Sequence, residues 1–344
     1  MEKVITVIVP TYNMEAYLRR CLDSLLIPDK ECVEVLVVND GSKDDSSAIA
    51  HGYGERYPRT FRVIDKENGN YGSCVNRALS EAKGKYIKLL DADDWFTGDA
   101  FQYVVDRLRD VDVDMVLTDH AGIGKRGEVT HRTRLSLPKE RELPFADLLP
   151  LNRRTPLQMH WIIYKREILN RIAYSQTEGV SYTDTEWVLY PSVGVERWMY
   201  LDVCLYNYVE EREGQTMAPA QLGRTAPAFL ALAETLTRRT RQEFIPRDEA
   251  HRRFVQTYLA WMLCFAYDRF LLYRRKELSA LAAFDRKLDD GVRAVLDQRR
   301  LKGIPYIKMW HERGGKELPK WFYAYIDLRA AVRKAKRKLL KKGI

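Results

Sequence analysis

No stretch of this chain approaches the roughly 18 consecutive apolar residues that a membrane-spanning helix requires, so a bilayer-embedded protein is not expected. The opening MEKVITVIVP is too short an apolar run for a secretory signal, and Pro10 ends it. Neither GxxxxGKS nor GxGxxG occurs, which removes support for a P-loop or a dinucleotide-binding fold. Cysteine is sparse. Cys21, Cys32, Cys74, Cys204 and Cys264 are an odd number without CxxC or other ligand spacing, the usage of reduced thiols in a cytosolic protein.

What is present is a chain of 344 residues, 46% hydrophobic and 31% charged, enough for about two domains with buried cores. Net charge is +9, and the final AVRKAKRKLLKKGI carries only basic charge. That end reads either as a solvated helical tail or as a basic helix drawn to anionic lipid. Residues 321–342 set Trp321, Phe322, Tyr323, Tyr325, Ile326 and Leu328 beside the basic end. Such a pattern suits a membrane interface, with peripheral attachment at the inner face of the cell membrane, or packing on the protein's own helices.

The first 120 or so residues alternate between two patterns. VITVIVP (4–10), VEVLVVND (33–40), FRVIDK (61–66), KYIKLL (85–90) and VDMVLTD (113–119) are near-continuous apolar strands. Helical segments lie between them, from Met14 to Leu26 and from near Lys43 onward. Buried strands separated by helices predict a parallel sheet covered on both faces, with ligand beyond the carboxyl ends of its strands. Three strands end there in polar clusters: TYN (11–13), NDGS (39–42) and DADD (91–94). From 120 to 220 short β-like pieces, VSYTD and MYLDVCLYNYV, surround single helices. From about 225 the pattern is helical, near 226–242, 248–273, 276–299 and 318–340.

The clusters suggest chemistry. Asp91 and Asp93, at i and i+2, can face one side, and two hard oxygen ligands suit Mg²⁺ or Mn²⁺ bound with a substrate diphosphate. The plainer alternative is an Asp-rich turn in which Asp94 or Thr97 caps the next helix. Asp40 leaves a buried strand ahead of Gly41, so its carboxylate can accept from a ribose or a base N–H; alternatively Ser42 is an ordinary N-cap. In SYTDTEW, Thr183 and Glu186 have the spacing of a capping box that starts a helix Asp184–Val193.

VIVPTYN, VVNDGSKDDS, ENGNYGSCVN, GKYIKLLDADDW and SYTDTEW occur in the order and spacing of the family 2 nucleotide-sugar glycosyltransferases, and residues 3 to about 217 resemble that family. The resemblance implies a GT-A fold: an α/β, mostly parallel sheet flanked by helices. It divides the chain into a catalytic domain over 1–220, with a nucleotide-binding half (1–120) and an acceptor-binding half (121–220), and a helical C-terminal region over 221–344. It implies that Pro10, Thr11 and Tyr12 line a base pocket and that Asp40 holds the base. Asp91 would contact ribose and Asp93 would bind Mg²⁺ or Mn²⁺ on the diphosphate, with Ala92 between them. NGNYGSCVN is similar to NGGxGSxxN, with Asn70 in place of the second glycine, and both Asn70 and Asn76 are expected on the donor side. Asp184 matches the general base, although Thr183 stands where a Glu is usual. His160 falls where related sequences carry a histidine near diphosphate or acceptor. Arg212 and Gln215 match a loop that closes over the diphosphate.

The expectation is therefore an inverting enzyme that moves one sugar from a UDP-sugar to a hydroxyl of a glycan, including a lipid-linked one, in cell-envelope polysaccharide synthesis. QxxRW is absent, which argues against a processive synthase. The rivals are a sugar-nucleotide nucleotidyltransferase, which would want a Gly-rich basic signature near the first strand, and a non-catalytic glycan-binding protein on the same fold. No nucleic-acid partner is expected.

Overall fold

The computed structural model describes residues 2–210, 223–298, 305–325 and 327–328. The described residues fall into two compact units. One takes residues 2–210 together with Arg238–Tyr258, and the other takes 223–237 with the described residues from Leu259 onward.

In the first unit the strands are β1 (Ile5–Thr11), β2 (Val33–Asn39), β3 (Phe61–Asp65), β4 (Tyr86–Leu89), β5 (Trp95–Phe96), β6 (Met115–Ile123), β7 (Val129–Thr133), β8 (Leu143–Pro144), β9 (Ile162–Lys165) and β10 (Arg197–Val209). Its helices are α1 (Glu15–Asp23), α2 (Ser46–Arg56), α3 (Asn70–Leu79), α4 (Gly98–Asp110), α5 (Leu149–Arg154), α6 (Arg166–Arg171) and α7 (Asp184–Leu189). Then follow α8 (Ala226–Gln242) and α9 (Glu249–Tyr273), and in the second unit α10 (Leu278–Asp285), α11 (Asp290–Leu296) and α12 (Pro305–Glu312).

The sheet order is β3-β2-β1-β4-β9-β6-β10-β5, with β7 on β6 and β8 on β10. The first four strands are parallel, and every residue of β1 and β2 is buried, as expected for strands covered on both faces. Register brings their ends together. Thr11 lies opposite Asn39, Asn39 opposite Asp65, and Ile8 opposite Leu89, so the polar residues after each strand gather at one edge. Helix α4 covers the sheet with Ala100, Phe101, Val104, Val105 and Leu108, an apolar stripe at helical spacing.

The structure corrects several sequence expectations. The parallel series does not run on unbroken to β6, because β9 is inserted antiparallel to both β4 and β6, and the sheet is mixed. VSYTD is not a strand: residues 180–183 are turn and coil leading into α7, which stops at Leu189 and gives way to a 3₁₀ turn at Pro191–Gly194. Helix α2 starts at Ser46, and Ser42 does not cap it. The segment 276–299 is broken after Asp285, where the Asp289 side chain accepts from the backbone of Gly291 and Val292 and starts α11 afresh. Helix α12 was not anticipated. Of the helix expected over 318–340, the described residues 320–325 and 327–328 are helical. Ile326 and the basic end lie outside the described residues.

Candidate active site

The edge where β1 to β4 end is built first from two interlocked loops. Asn13, at φ 53°, accepts from Lys43 N (2.8 Å) and gives its own N–H to Ser42 Oγ (3.0 Å). Met14 N donates to Ser46 Oγ (2.7 Å), Glu15 N to Asp44 Oδ2 (3.0 Å), and Asp45 N to Glu15 Oε2 (3.0 Å). Each loop thus satisfies the orphan N–H groups at the start of the other's helix. Gly41 turns the chain at φ +73°, where a side chain is strained, and a Cβ there would sit tightly at 3.2 Å from Asn68 N, so the turn favours glycine.

On this frame Pro10 and Thr11 are buried, the Thr11 hydroxyl donates to Val9 O, and Tyr12 is exposed at the rim. Asp40 is buried; its Oδ1 accepts from Lys66 Nζ (2.6 Å) and Gly69 N (2.9 Å). Below it the Cys74 thiol is pushed up to about 12 by burial and by the Asp40 charge. Asn70 adopts φ 66° at the first turn of α3, a left-handed conformation that Asn tolerates in place of glycine.

DADD occupies the place beside β1 left open by the early end of β4. Asp91 Oδ1 accepts from Tyr71 OH (2.9 Å), Ala92 is buried, and Arg20, stacked on Trp95, donates to the Asp93 carbonyl (3.2 Å). Asp94 is buried and accepts from Tyr206 OH and Val209 N, each at 2.7 Å. Neither Asp94 nor Thr97 makes a side-chain cap bond to α4. Burial, followed by the charges of Asp93 and Asp91, raises the Asp94 carboxyl well above the carboxylate range.

A histidine completes the group. Oxygens of Asp91 and Asp94 and a ring nitrogen of His160 all lie within 4.8 Å of one another, close enough to share a cation. His160 packs against the rings of His120 (5.5 Å), Tyr206 (4.7 Å) and Tyr208 (4.6 Å), and its buried Nδ1 has no hydrogen-bond partner among the described residues. Burial drives its proton affinity well below the usual histidine value, which leaves the neutral imidazole a metal needs. Its backbone is held by Lys88, a fully buried amine of β4 that donates to the carbonyls of His160 (2.6 Å), Ile162 (3.1 Å) and Met159 (3.4 Å). A neutral histidine and hard oxygens fit a divalent cation, and the unmatched Nδ1 supports that fit.

Asp184 opens α7. It is exposed to water yet surrounded by protein, and this desolvation raises its carboxyl above the ordinary range. Burial first, and then the carboxylates around them, Asp91 and Asp184 among these, raise the phenols of Tyr71 and Tyr208. The expected capping box is not formed. Thr183 makes no cap bond, and Glu186 instead accepts from Thr177 N (2.6 Å) and Thr177 Oγ1 (2.7 Å). Asn76 likewise uses its amide inside the protein, exchanging bonds with Gln176 O (2.9 Å) and Gln176 N (2.8 Å) and donating to Glu178 (2.8 Å).

The structure therefore brings Asp91 and His160 together with Asp94, with Ala92 and Asp93 in the same turn, and sets Pro10, Thr11, Tyr12, Asp40 and Asn70 along the strand-end edge; Asp184 stands at the start of α7 and is not part of the 4.8 Å group. Arg212 and Gln215 lie outside the described residues. Sequence reasoning missed Lys88, Tyr71, Tyr206 and Tyr208; only Lys88 carried a signal, as a lone charge inside the apolar KYIKLL.

Carboxylates gathered on the carboxyl edge of such an α/β sheet define a GT-A-type fold. Residues 6–173, just under half of the chain, match the family described as Glycosyl transferase family 2. It is 30% identical over 229 residues to the uncharacterized glycosyltransferase EpsJ of Bacillus subtilis, covering 64% of each chain. It is 25% identical over 276 residues to the uncharacterized glycosyltransferase YibD of Escherichia coli, covering 76% of this chain and 78% of YibD. The chain thus spans under two thirds of EpsJ, and it spans 34% of the MG025 homolog of Mycoplasma pneumoniae. The structure of S. aureus TarS 1–349 in complex with UDP-GlcNAc superposes with a TM-score of 0.65 at 21% identity, covering 85% of this chain and 84% of that one, a likeness of fold.

Proposed function

We propose that this chain is an inverting glycosyltransferase that moves a single sugar from a nucleoside diphosphate sugar, UDP-linked, to a hydroxyl of a glycan acceptor in cell-envelope polysaccharide synthesis. The observation that supports this reading is the approach of Asp91, Asp94 and His160 to within 4.8 Å of one another, in and beside the DADD turn, within a chain whose residues 6–173 match a glycosyltransferase family. Asp40 accepts from the base, Asp91 from the ribose, and Tyr12 presents its ring at the rim. Asp184 takes the proton of the acceptor hydroxyl as that oxygen attacks the anomeric carbon from the face opposite the diphosphate. Its raised carboxyl makes it a stronger base than an ordinary aspartate. Asp93, with the Asp91, Asp94 and His160 group in and beside the same turn, would hold Mg²⁺ or Mn²⁺, which when bound supplies electrostatic stabilisation to the leaving diphosphate. The family match favours transfer over nucleotide-sugar synthesis.

The complex of TarS with UDP-GlcNAc makes that compound the first probe. Thermal unfolding with a panel of UDP-, GDP-, dTDP- and CMP-sugars, with Mn²⁺ or with EDTA, tests the reading. A rise in Tm for UDP-sugars that needs Mn²⁺ supports it. A panel in which no nucleotide sugar stabilises the protein rejects it.

The acceptor side includes a membrane surface. Trp321 and Leu328 are 63% and 64% exposed and Tyr325 48%, at helical spacing next to the basic end, whereas Phe322 and Tyr323 are buried against Tyr306 and Arg275. The aromatic set is thus divided between packing and exposure. An exposed apolar stripe beside Lys and Arg supports peripheral attachment to anionic lipid at the inner face of the membrane, where a lipid-linked acceptor would be met. No helix among the described residues is long and apolar enough to cross a membrane.

A further inference from the structure

Asp184 is the first residue of a six-residue helix, too short to fix its own position. What fixes it lies in the segment before it and in a residue of α8. Residues 175–179 lie across α3 so closely that a Cβ on Gly72 would fall 2.2 Å from Thr177 O. Asn76 pairs with both backbone groups of Gln176, and Gly179 N donates to Gly69 O (3.0 Å). The far side of this strap is tied to Glu186, two residues after Asp184, through the Thr177 backbone and hydroxyl. Glu186 is wholly buried and meets Arg239 Nη1 at 3.5 Å. The same guanidinium donates to Ser175 Oγ (3.1 Å), Thr177 Oγ1 (3.4 Å) and Glu243 (2.7 Å) and is flanked by the rings of Tyr190 and Phe244 at 4.8 and 4.9 Å.

We propose that Arg239 and Glu186 are positioning residues for the transfer reaction: the pair locks the 175–179 strap against the first turn of α7 and thereby aims Asp184 at the acceptor hydroxyl. This rests on the reading of Asp184 as the base. Three consequences follow from the geometry. Arg239 lies beyond the segment that matches the family, so a chain cut near residue 220 loses the device. The fork of Arg serves Ser175, Thr177, Glu186 and Glu243 at once, which a single-point ammonium cannot. Gly72 and Asn76 act on the strap rather than directly on donor.

The test uses the full chain and the nucleotide sugar that most stabilises it in the panel above, with release of UDP as the activity readout. Glu186→Gln with Arg239→Met removes both charges together, so neither is left buried alone. Hydrogen exchange should rise about tenfold or more in peptides covering 174–185 and stay unchanged in β1 and β2. kcat should fall about tenfold or more, with donor KM within about twofold, and Arg239→Lys should recover part of the rate. Unchanged exchange in the strap, unchanged kcat, or a fall in kcat matched by an equal rise in donor KM would each overturn the proposal. Asp184→Asn, run alongside, separates the two readings. Retained transfer in that variant removes the base assignment itself, whereas its loss with an active pair variant removes only the positioning role.

Discussion

Two clusters of buried titratable groups, one in each unit, differ in how their charges are met, although the first unit also holds matched pairs such as Lys66–Asp40 and Arg239–Glu186. In the second, His311 lies between two carboxylates, Nδ1 at 2.7 Å from Asp297 and Nε2 at 3.0 Å from Asp285, and these bonds raise its proton affinity in spite of burial. Asp285 is held below the usual carboxylate value by His311 and Tyr267, although burial pushes it the other way. In this cluster His311, Asp285, Asp297 and Arg293 each face an opposite charge. In the first unit, Lys88 is buried among carbonyls and lowered well below the usual lysine value. His120, accepting from the Trp161 indole, falls to about 4, and Asp94 and Asp184 are raised. Paired charges make structure, whereas charges left unmatched by the fold await a ligand.

The largest effect that would break the contrast is at Asp184. Asp184→Asn should reduce sugar transfer by about 10²–10⁴ while Tm and UDP affinity stay near wild type. Transfer at more than a third of the wild-type rate would show that the proton goes elsewhere. The acid limb of kcat in the wild type should lie above the ordinary aspartate value, since the raised carboxyl must be deprotonated to act.

Next in size is the cation. Asp93→Asn should remove the dependence of UDP binding on Mn²⁺ and lower affinity by about tenfold or more. Calorimetry that gives equal UDP affinity with and without EDTA in the wild type would sink the assignment.

On the matched side, His311→Asn should lower stability by about 2 kcal/mol, the scale of charge-assisted hydrogen bonds, and leave transfer unchanged. The folded proton affinity of His311 is raised, so its contribution is complete below about pH 6.5 and is lost as pH climbs through the folded value. Asp285 is lowered, so its contribution is present above about pH 4 and is lost on acidification. Unfolding followed between pH 5.5 and 9 should show the alkaline loss in wild type and not in the variant.

The smallest effect concerns lipid. Trp321→Ser with Leu328→Ser should weaken pelleting with anionic liposomes by a few fold, because basic residues, each contributing about 1 kcal/mol near such a surface, still act. Equal pelleting of variant and wild type would remove the exposed stripe from the account.

Much of the fold was legible because β1 to β4 are near-continuous apolar runs closed by Pro, Gly and Asp, signals local to each strand. The DADD and NDGS clusters were legible for the same reason. What escaped was non-local. The antiparallel insertion of β9 depends on pairings between segments far apart in the chain, such as Tyr86 with Lys165, which no periodicity records. Glu186 has the right spacing for a cap, but Thr177 and Arg239 compete for it with stronger bonds. Asn76 was expected on the donor, yet its partner is a backbone segment 100 residues on.

The interlock of residues 13–15 with 42–46 bears on how donor choice could be altered. Every one of its bonds joins one loop to the other, so an exchange of either stretch alone strips the start of both helices of acceptors. The two stretches behave as a single exchangeable cassette. A chimera that grafts residues 11–15 and 39–46 together from a relative with another base preference should fold and carry that preference across, whereas half-grafts should lose solubility before they gain specificity.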